Sequence, residues 1–243
     1  PYLSNCNDPR RFSLILAVLS GSKAYLPNVA KCTFMEYFCD ARKCTTDLFK
    51  NLRKHPGNCR TKFETLTKCV TKTIDICDEN DLLSQSQIKS IVRSSFDENV
   101  YCLKGGWKET TTSSGSLPCS SSFATDANNC PRNFSQRFAA DKTDPELCSE
   151  YAKAKGCMKN LIASDCHFTS SEQEVLDLGF SDWNPFCENN RDPGATGKDQ
   201  CDGVKKLNNP LHSNGPASAK MKVGVTYALL IPFVLPLVFS SRM

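Results

Sequence analysis

Fifteen cysteines in a chain of 243 residues restrict this protein more severely than its hydrophobic pattern does. A chain carrying that many thiols belongs where thiols oxidise, and oxidation requires a fold that brings Cα atoms together in pairs at roughly 4.4–6.8 Å. Cys6 lies in a segment that reads as a leader. The body therefore keeps Cys32, Cys39, Cys44, Cys59, Cys69, Cys77, Cys102, Cys119, Cys130, Cys148, Cys157, Cys166, Cys187 and Cys201, an even number that needs no free thiol.

Their spacing repeats. Cys44, Cys59, Cys69, Cys77 and Cys102 are separated by 15, 10, 8 and 25 positions, and Cys130, Cys148, Cys157, Cys166 and Cys187 by 18, 9, 9 and 21, which reads as an internal duplication. The residues between them carry matching helix signals. Phe63, Leu66, Val70 and Ile74 recur at three- and four-residue steps, as do Tyr151, Ala154, Met158, Leu161 and Ile162, the period of an amphipathic helix. Ser84 to Gln87 and Ser171 to Glu174 have the form of capping boxes before further apolar runs, and an aromatic precedes the closing cysteine of each copy, Tyr101 and Phe186. An earlier helix is marked by Asp47, Leu48, Phe49 and Leu52, and more faintly by Phe134 and Phe138. Strand signals are poor, because β-branched residues do not alternate between turn dipeptides. The expected fold class is all-α: two disulfide-stapled helical-bundle repeats of about three helices each, plus a C-terminal hydrophobic helix.

The cysteines have a physical task in such a fold. A unit of about 90 residues builds a small core, whereas a bridge closing ~15 residues removes about 3 kcal/mol of unfolded-state entropy. Residues nine positions apart on an ideal helix point about 180° apart, so Cys148, Cys157 and Cys166 should tie the middle helix to neighbours on both sides. Spacing does not reveal connectivity. Parity suggests one economical arrangement: Cys39 joins the first set and Cys119 the second, while Cys32 pairs with Cys201 across the body.

The two ends read as addresses. Arg10-Arg11, the apolar run Phe12 to Leu19 and Ser22-Lys23-Ala24 form a secretory signal. At the other end, Val223 to Phe239 are uncharged, but Pro232 and Pro236 count against a spanning helix, since each removes a backbone hydrogen bond that lipid cannot replace. Small residues Ser213-Asn214-Gly215, a polar spacer from Pro216 to Lys222 and then the apolar tail follow the order of a glycosylphosphatidylinositol (GPI) signal, with attachment at Ser213 first and Asn214 second. Membrane attachment is thus expected through a lipid anchor, with a C-terminal helix as the alternative. The resulting division is a signal peptide over 1–24, repeats over 25–103 and 130–188, a Ser/Thr/Gly-rich linker over 104–129, a stalk over 189–222 and an anchor signal over 223–243.

Charge and motifs narrow the function. The formal charge is +4, but its excess lies in the two end segments, and a near-neutral body argues against a nucleic-acid binder. Only His55, His167 and His212 are present. Asp165-Cys166-His167 resembles a nucleophile beside a base, yet adjacent side chains do not face one another and Cys166 belongs to the repeated framework. No Cys-x-x-Cys, His-Glu-x-x-His or calcium-loop pattern occurs, so no metal or cofactor is expected and the chain is not read as an enzyme. Asn133-Phe134-Ser135 is an N-glycosylation sequon. Trp183 reads as a core plug, and Trp107, in the polar linker, as a candidate binding contact.

Cys148-x8-Cys157-x8-Cys166, with a capped helix and an aromatic-Cys closure, resembles the invertebrate secreted cysteine-rich helical proteins typified by the haemolymph glycoprotein family, over roughly residues 60–190. Cys32-x6-Cys39-x4-Cys44 is similar to the opening of a neurotrophic-factor receptor alpha domain, which implies a disulfide-stapled helical bundle on a lipid anchor; the longer gaps that follow and the lack of Cys-x-Cys depart from that pattern. Together these readings lead to the expectation of a GPI-anchored extracellular glycoprotein that binds an extracellular protein without catalysis. The alternative is a secreted lipid carrier or enzyme inhibitor on the same bundle.

Overall fold

The computed structural model describes residues 32–78, 83–102 and 118–207. Among these the regular structure is helical throughout: α1 (Phe34–Lys54), α2 (Cys59–Cys77), α3 (Gln85–Ser95), α4 (Glu98–Cys102), α5 (Phe123–Asn129), α6 (Arg132–Ala140), α7 (Leu147–Asp165) and α8 (Ser170–Gly179). The expected signal peptide, the anchor signal and the centre of the linker lie outside the described residues.

Three helices, α1, α3 and α8, open on a capping box. Thr33 and Glu36 form a capping box that opens α1, satisfying two of the amides a helix start leaves unpaired. This helix begins well before the signal at Asp47. Its first half hides Glu36, Asp40 and Arg42 beside Tyr37, Phe38 and Ala41, so charged residues interrupt the apolar run there. A turn through Pro56-Gly57 and left-handed Asn58 (φ 54°) leads into α2. The box at Ser84 and Gln87 opens α3 as its sequence suggests. For α8 the expectation is corrected: the box is Thr169 with Glu172, so the helix starts at Ser170 and Ser171 falls inside it. Thr-x-x-Glu satisfies the capping chemistry as well as Ser-x-x-Glu does.

Fourteen cysteines form seven disulfides. In the first half these are Cys32–Cys77, Cys44–Cys69 and Cys59–Cys102; in the second they are Cys119–Cys166, Cys130–Cys157 and Cys148–Cys187. The seventh, Cys39–Cys201, crosses between them over 162 positions. The expected crossing pair of Cys32 with Cys201 is therefore wrong. Cys32 lies at the start of α1, where it meets the end of antiparallel α2, whereas Cys39 lies two turns further along α1. Cys119 does join the second set, and Cys148, Cys157 and Cys166 bind α7 and its flanks to three separate segments.

The halves match beyond their sulfurs. The three bridges of each occur in the same order and span 45, 25 and 43 positions in the first half and 47, 27 and 39 in the second. Buried Tyr37, Ala41, Leu48 and Leu52 of α1 recur with identical spacing as buried Phe123, Ala127, Phe134 and Phe138 of α5 and α6. Buried Phe63, Leu66, Val70 and Ile74 of α2 likewise recur as Tyr151, Ala154, Met158 and Ile162 of α7. Pro131 falls between α5 and α6, and its missing amide interrupts the helical hydrogen bonding there.

One continuous core joins the halves. Phe186, 1% exposed, is its hub, with ring centroids 4.6 Å from Phe49, 4.8 Å from Phe134, 5.1 Å from Tyr151 and 5.5 Å from Phe138. Burying one such ring contributes about 1.5–3 kcal/mol. The division into two units spaced by a linker is corrected accordingly: Cys119 and α5, placed in the linker by the sequence, belong to the second half. The stalk is corrected too. From Asn189 to Leu207 the chain runs back over the body, turning at Asn190, Gly194 and Gly203 (φ 58°, 80° and 81°), and is bridged to α1 by Cys201.

Candidate functional site

The returning segment, 189–207, completes a junction at which buried charges from distant parts of the chain meet. Lys155 is 4% exposed on the face of α7 that also carries Tyr151, Met158 and Ile162. Its ammonium donates to the carbonyls of Ser181 (2.7 Å) and Trp183 (2.6 Å) and pairs with Asp192 at 2.8 Å. Asp192 also accepts from Asn184 Nδ2 at 2.8 Å. Fully buried Asn184 gives its second amide proton to the Cys148 carbonyl (2.9 Å) and accepts the Phe186 amide (3.0 Å). Burial lowers the pKa of Lys155, and Asp192 opposes this only in part.

Arg42 of α1 forms the other side. Its guanidinium lies between Phe38 and Trp183, 5.7 Å from each ring centroid, and pairs with Asp199. Trp183 donates its indole N–H to the Thr46 hydroxyl at 3.1 Å, and Arg53 donates to the Phe186 carbonyl at 2.5 Å. Burial pushes the Asp199 carboxyl up, but hydrogen bonds from Arg42 and the Cys201 amide outweigh it and hold the group below its ordinary range. An ammonium with three acceptors offers no lone pair. The junction is a clamp that holds the returning segment to both halves, and its chemistry is recognition of charge within the fold.

The residues singled out by sequence have different fates. The fourteen body cysteines are all in disulfides, so Cys166 has no thiolate and His167 beside it is exposed. His55 is exposed in the α1–α2 turn. Trp183 is buried, 8% exposed. Asn133 is exposed in the first turn of α6, while the Ser135 hydroxyl of its sequon is buried without a hydrogen-bond partner. Trp107, His212, Ser213 and Asn214 lie outside the described residues. Among the described residues no group of three or more His, Cys, Asp or Glu is placed to hold a metal ion, and no helix is long and apolar enough to cross a membrane.

Sequence reading missed Arg42, Thr46, Lys155, Asp192 and Asp199. One signal was available: Lys155 stands four positions after Tyr151 and three before Met158, in the middle of an apolar stripe, where a lysine is buried only with a partner. The partner itself, in a segment that reads as stalk, had no signal.

Comparison with protein-family models, curated proteins and solved structures found no match for this chain. What the fold defines is therefore a class: an all-helical, cysteine-rich protein held by seven disulfides, the kind of chain that extracellular and secretory compartments maintain.

Proposed function

We propose that this protein is a GPI-anchored extracellular glycoprotein whose body contains two copies of one helical module, and that it binds another extracellular protein without catalysis. The observation that carries this reading is the oxidation of every body cysteine in matched order, three bridges per half, which suits an extracellular body and is hard to reconcile with a reducing one. The recurrence of two buried ladders at identical spacing supports duplication of one ancestral module. Anchoring follows from the sequence alone: small residues at Ser213 and Asn214, a polar spacer and an uncharged tail. In this reading the anchor site at Ser213 follows closely in sequence on the segment, ending at residue 207, that is folded onto the body. Asn133, exposed on α6, suits a glycan that projects into solvent.

Treatment of expressing cells with a phosphatidylinositol-specific phospholipase tests the anchor. Release into the medium is the expected result; retention on the cells would replace lipid attachment by a C-terminal helix. Asn133→Gln should remove one glycan, read as faster migration in a denaturing gel. The carrier alternative needs an apolar cavity between helices; the close ring contacts around Phe186 favour the non-carrier reading.

A further inference from the structure

We propose that the corner formed by the end of α1 and the start of α2 is a binding site for a sulfated polysaccharide. Between residues 48 and 64 the chain carries Lys50, Arg53, Lys54, Arg60 and Lys62, together with His55, against Glu64 as the only acid. Lys50, Lys54, His55 and Arg60 are exposed. Lys50 and Lys54 stand one turn apart on α1 with no ion-pair partner among the described residues, and Asp47 is taken by Lys43 at 3.3 Å. Arg60 has only a loose contact with Glu64 at 3.4 Å, with the arginine 74% exposed.

The two more sheltered cations are fixed without being neutralised. Lys62 donates to the carbonyls of His55 and of Gly57, the latter at 2.6 Å, and Arg53 donates to the Phe186 carbonyl. A carbonyl positions a cation but leaves its charge in place. Several cations elsewhere are neutralised instead: Arg137, Lys153, Lys155 and Lys159 each face a carboxylate.

The second half provides an internal control. Its corresponding corner, between Phe134 and Ala152, has Arg137 and Lys142 against Asp141, Asp144, Glu146 and Glu150, so the same helical hairpin closes with the opposite sign. The hairpin therefore closes without a net positive charge, although Arg53 and Lys54 in the last turn of α1 are favoured by that helix's dipole. Cations carry a cost at the start of α2, where Arg60 and Lys62 stand in the first turn with no acidic residue and no side-chain cap, opposed by the positive end of the helix dipole. Lys50 and Lys54, like charges at i,i+4, repel as well. A dense extracellular polyanion is the partner that relieves both. The acidic corner of a second copy is a poorer one, because Asp144 is already used by Arg137 and by the Glu146 amide, and Asp141 by Thr143.

The choice of polysaccharide rests on the extracellular reading above, but its test is independent of the anchor. The detergent-solubilised full chain is applied to immobilised heparin, beside a corner variant (K50Q, K54Q and R60Q together) and a control of equal net charge (K68Q, K89Q and R93Q together), with intact disulfides verified for each. The unmodified chain and the control should be retained at about 0.15 M salt, whereas the corner variant should elute at or below it. The slope of log affinity against log salt should fall by roughly two to three for the three lost contacts. Equal shifts in the two variants, or no retention of the unmodified chain, would overturn the proposal. Binding to phosphatidylserine vesicles without binding to heparin would also overturn it, as would salt-sensitive self-association that heparin does not displace.

Discussion

Lys155 and Asp192, 37 positions apart in sequence, meet at 2.8 Å in a pocket where the lysine side chain is 5% and the aspartate 21% exposed. Removing one partner of a buried pair leaves an uncompensated charge and costs about 3–5 kcal/mol when burial is complete. Partial exposure of Asp192 places D192N toward the low end of that range. Lys155→Met removes the buried charge along with its stem's polar end, and should destabilise less than D192N. Urea unfolding of the oxidised proteins checks both, and a larger loss for K155M would reverse the assignment of Lys155 as the buried ion that needs its partner.

Asp199 gives the clamp a pH dependence. Its carboxyl titrates below the ordinary range in the folded protein, so folding binds fewer protons there than the unfolded chain does. Its contribution is complete above about pH 4 and is lost as the pH falls through the depressed folded value. Asp141, Asp144 and Asp165 are also lowered, by hydrogen bonds led respectively from Thr143, the Glu146 amide and Ser164, and act in the same window. Stability should therefore be flat from pH 5 to 7 by this account and fall below about pH 4, with a shallower fall in D199N.

The shared core predicts that the halves unfold together. Phe186 comes from the second half but packs on Phe49 of the first, so Phe186→Ala should cost about 3–5 kcal/mol and lower a single transition. Calorimetric and van't Hoff enthalpies should agree. Two separate transitions in the unmodified protein would contradict a joint core.

Replacing Cys39 and Cys201 together by serine tests the crossing bridge. The other six disulfides already shorten the loop it closes, so the loss should fall in the usual range of about 2–4 kcal/mol and not at the value for an open loop of 162 positions. Peptide mapping of the unreduced chain should recover a Cys32–Cys77 pair; a Cys32–Cys201 pair would restore the arrangement suggested by parity.

Capping is a smaller and more local matter. Thr33→Ala and Thr169→Ala each remove a side-chain acceptor from a helix start and should cost about 1 kcal/mol apiece. Thermal melts resolve such a difference, and no change for either would mean that water replaces the cap.

Amino-acid order alone determined the helical class, the oxidised cysteines and most of the helices, because periodic apolar residues, capping pairs and cysteine parity are local properties that any tertiary arrangement must respect. Two features exceeded local reach. Which cysteine crosses the body depended on how far along α1 each one sits once α2 folds against it, so Cys39 and not Cys32 meets Cys201. Whether Asn189 to Leu207 stands away from the body or lies on it depended on Arg42 and Lys155, cations supplied by α1 and α7 that require carboxylates when buried. A polar, glycine-containing segment looks the same in either case until those distant charges are brought beneath it.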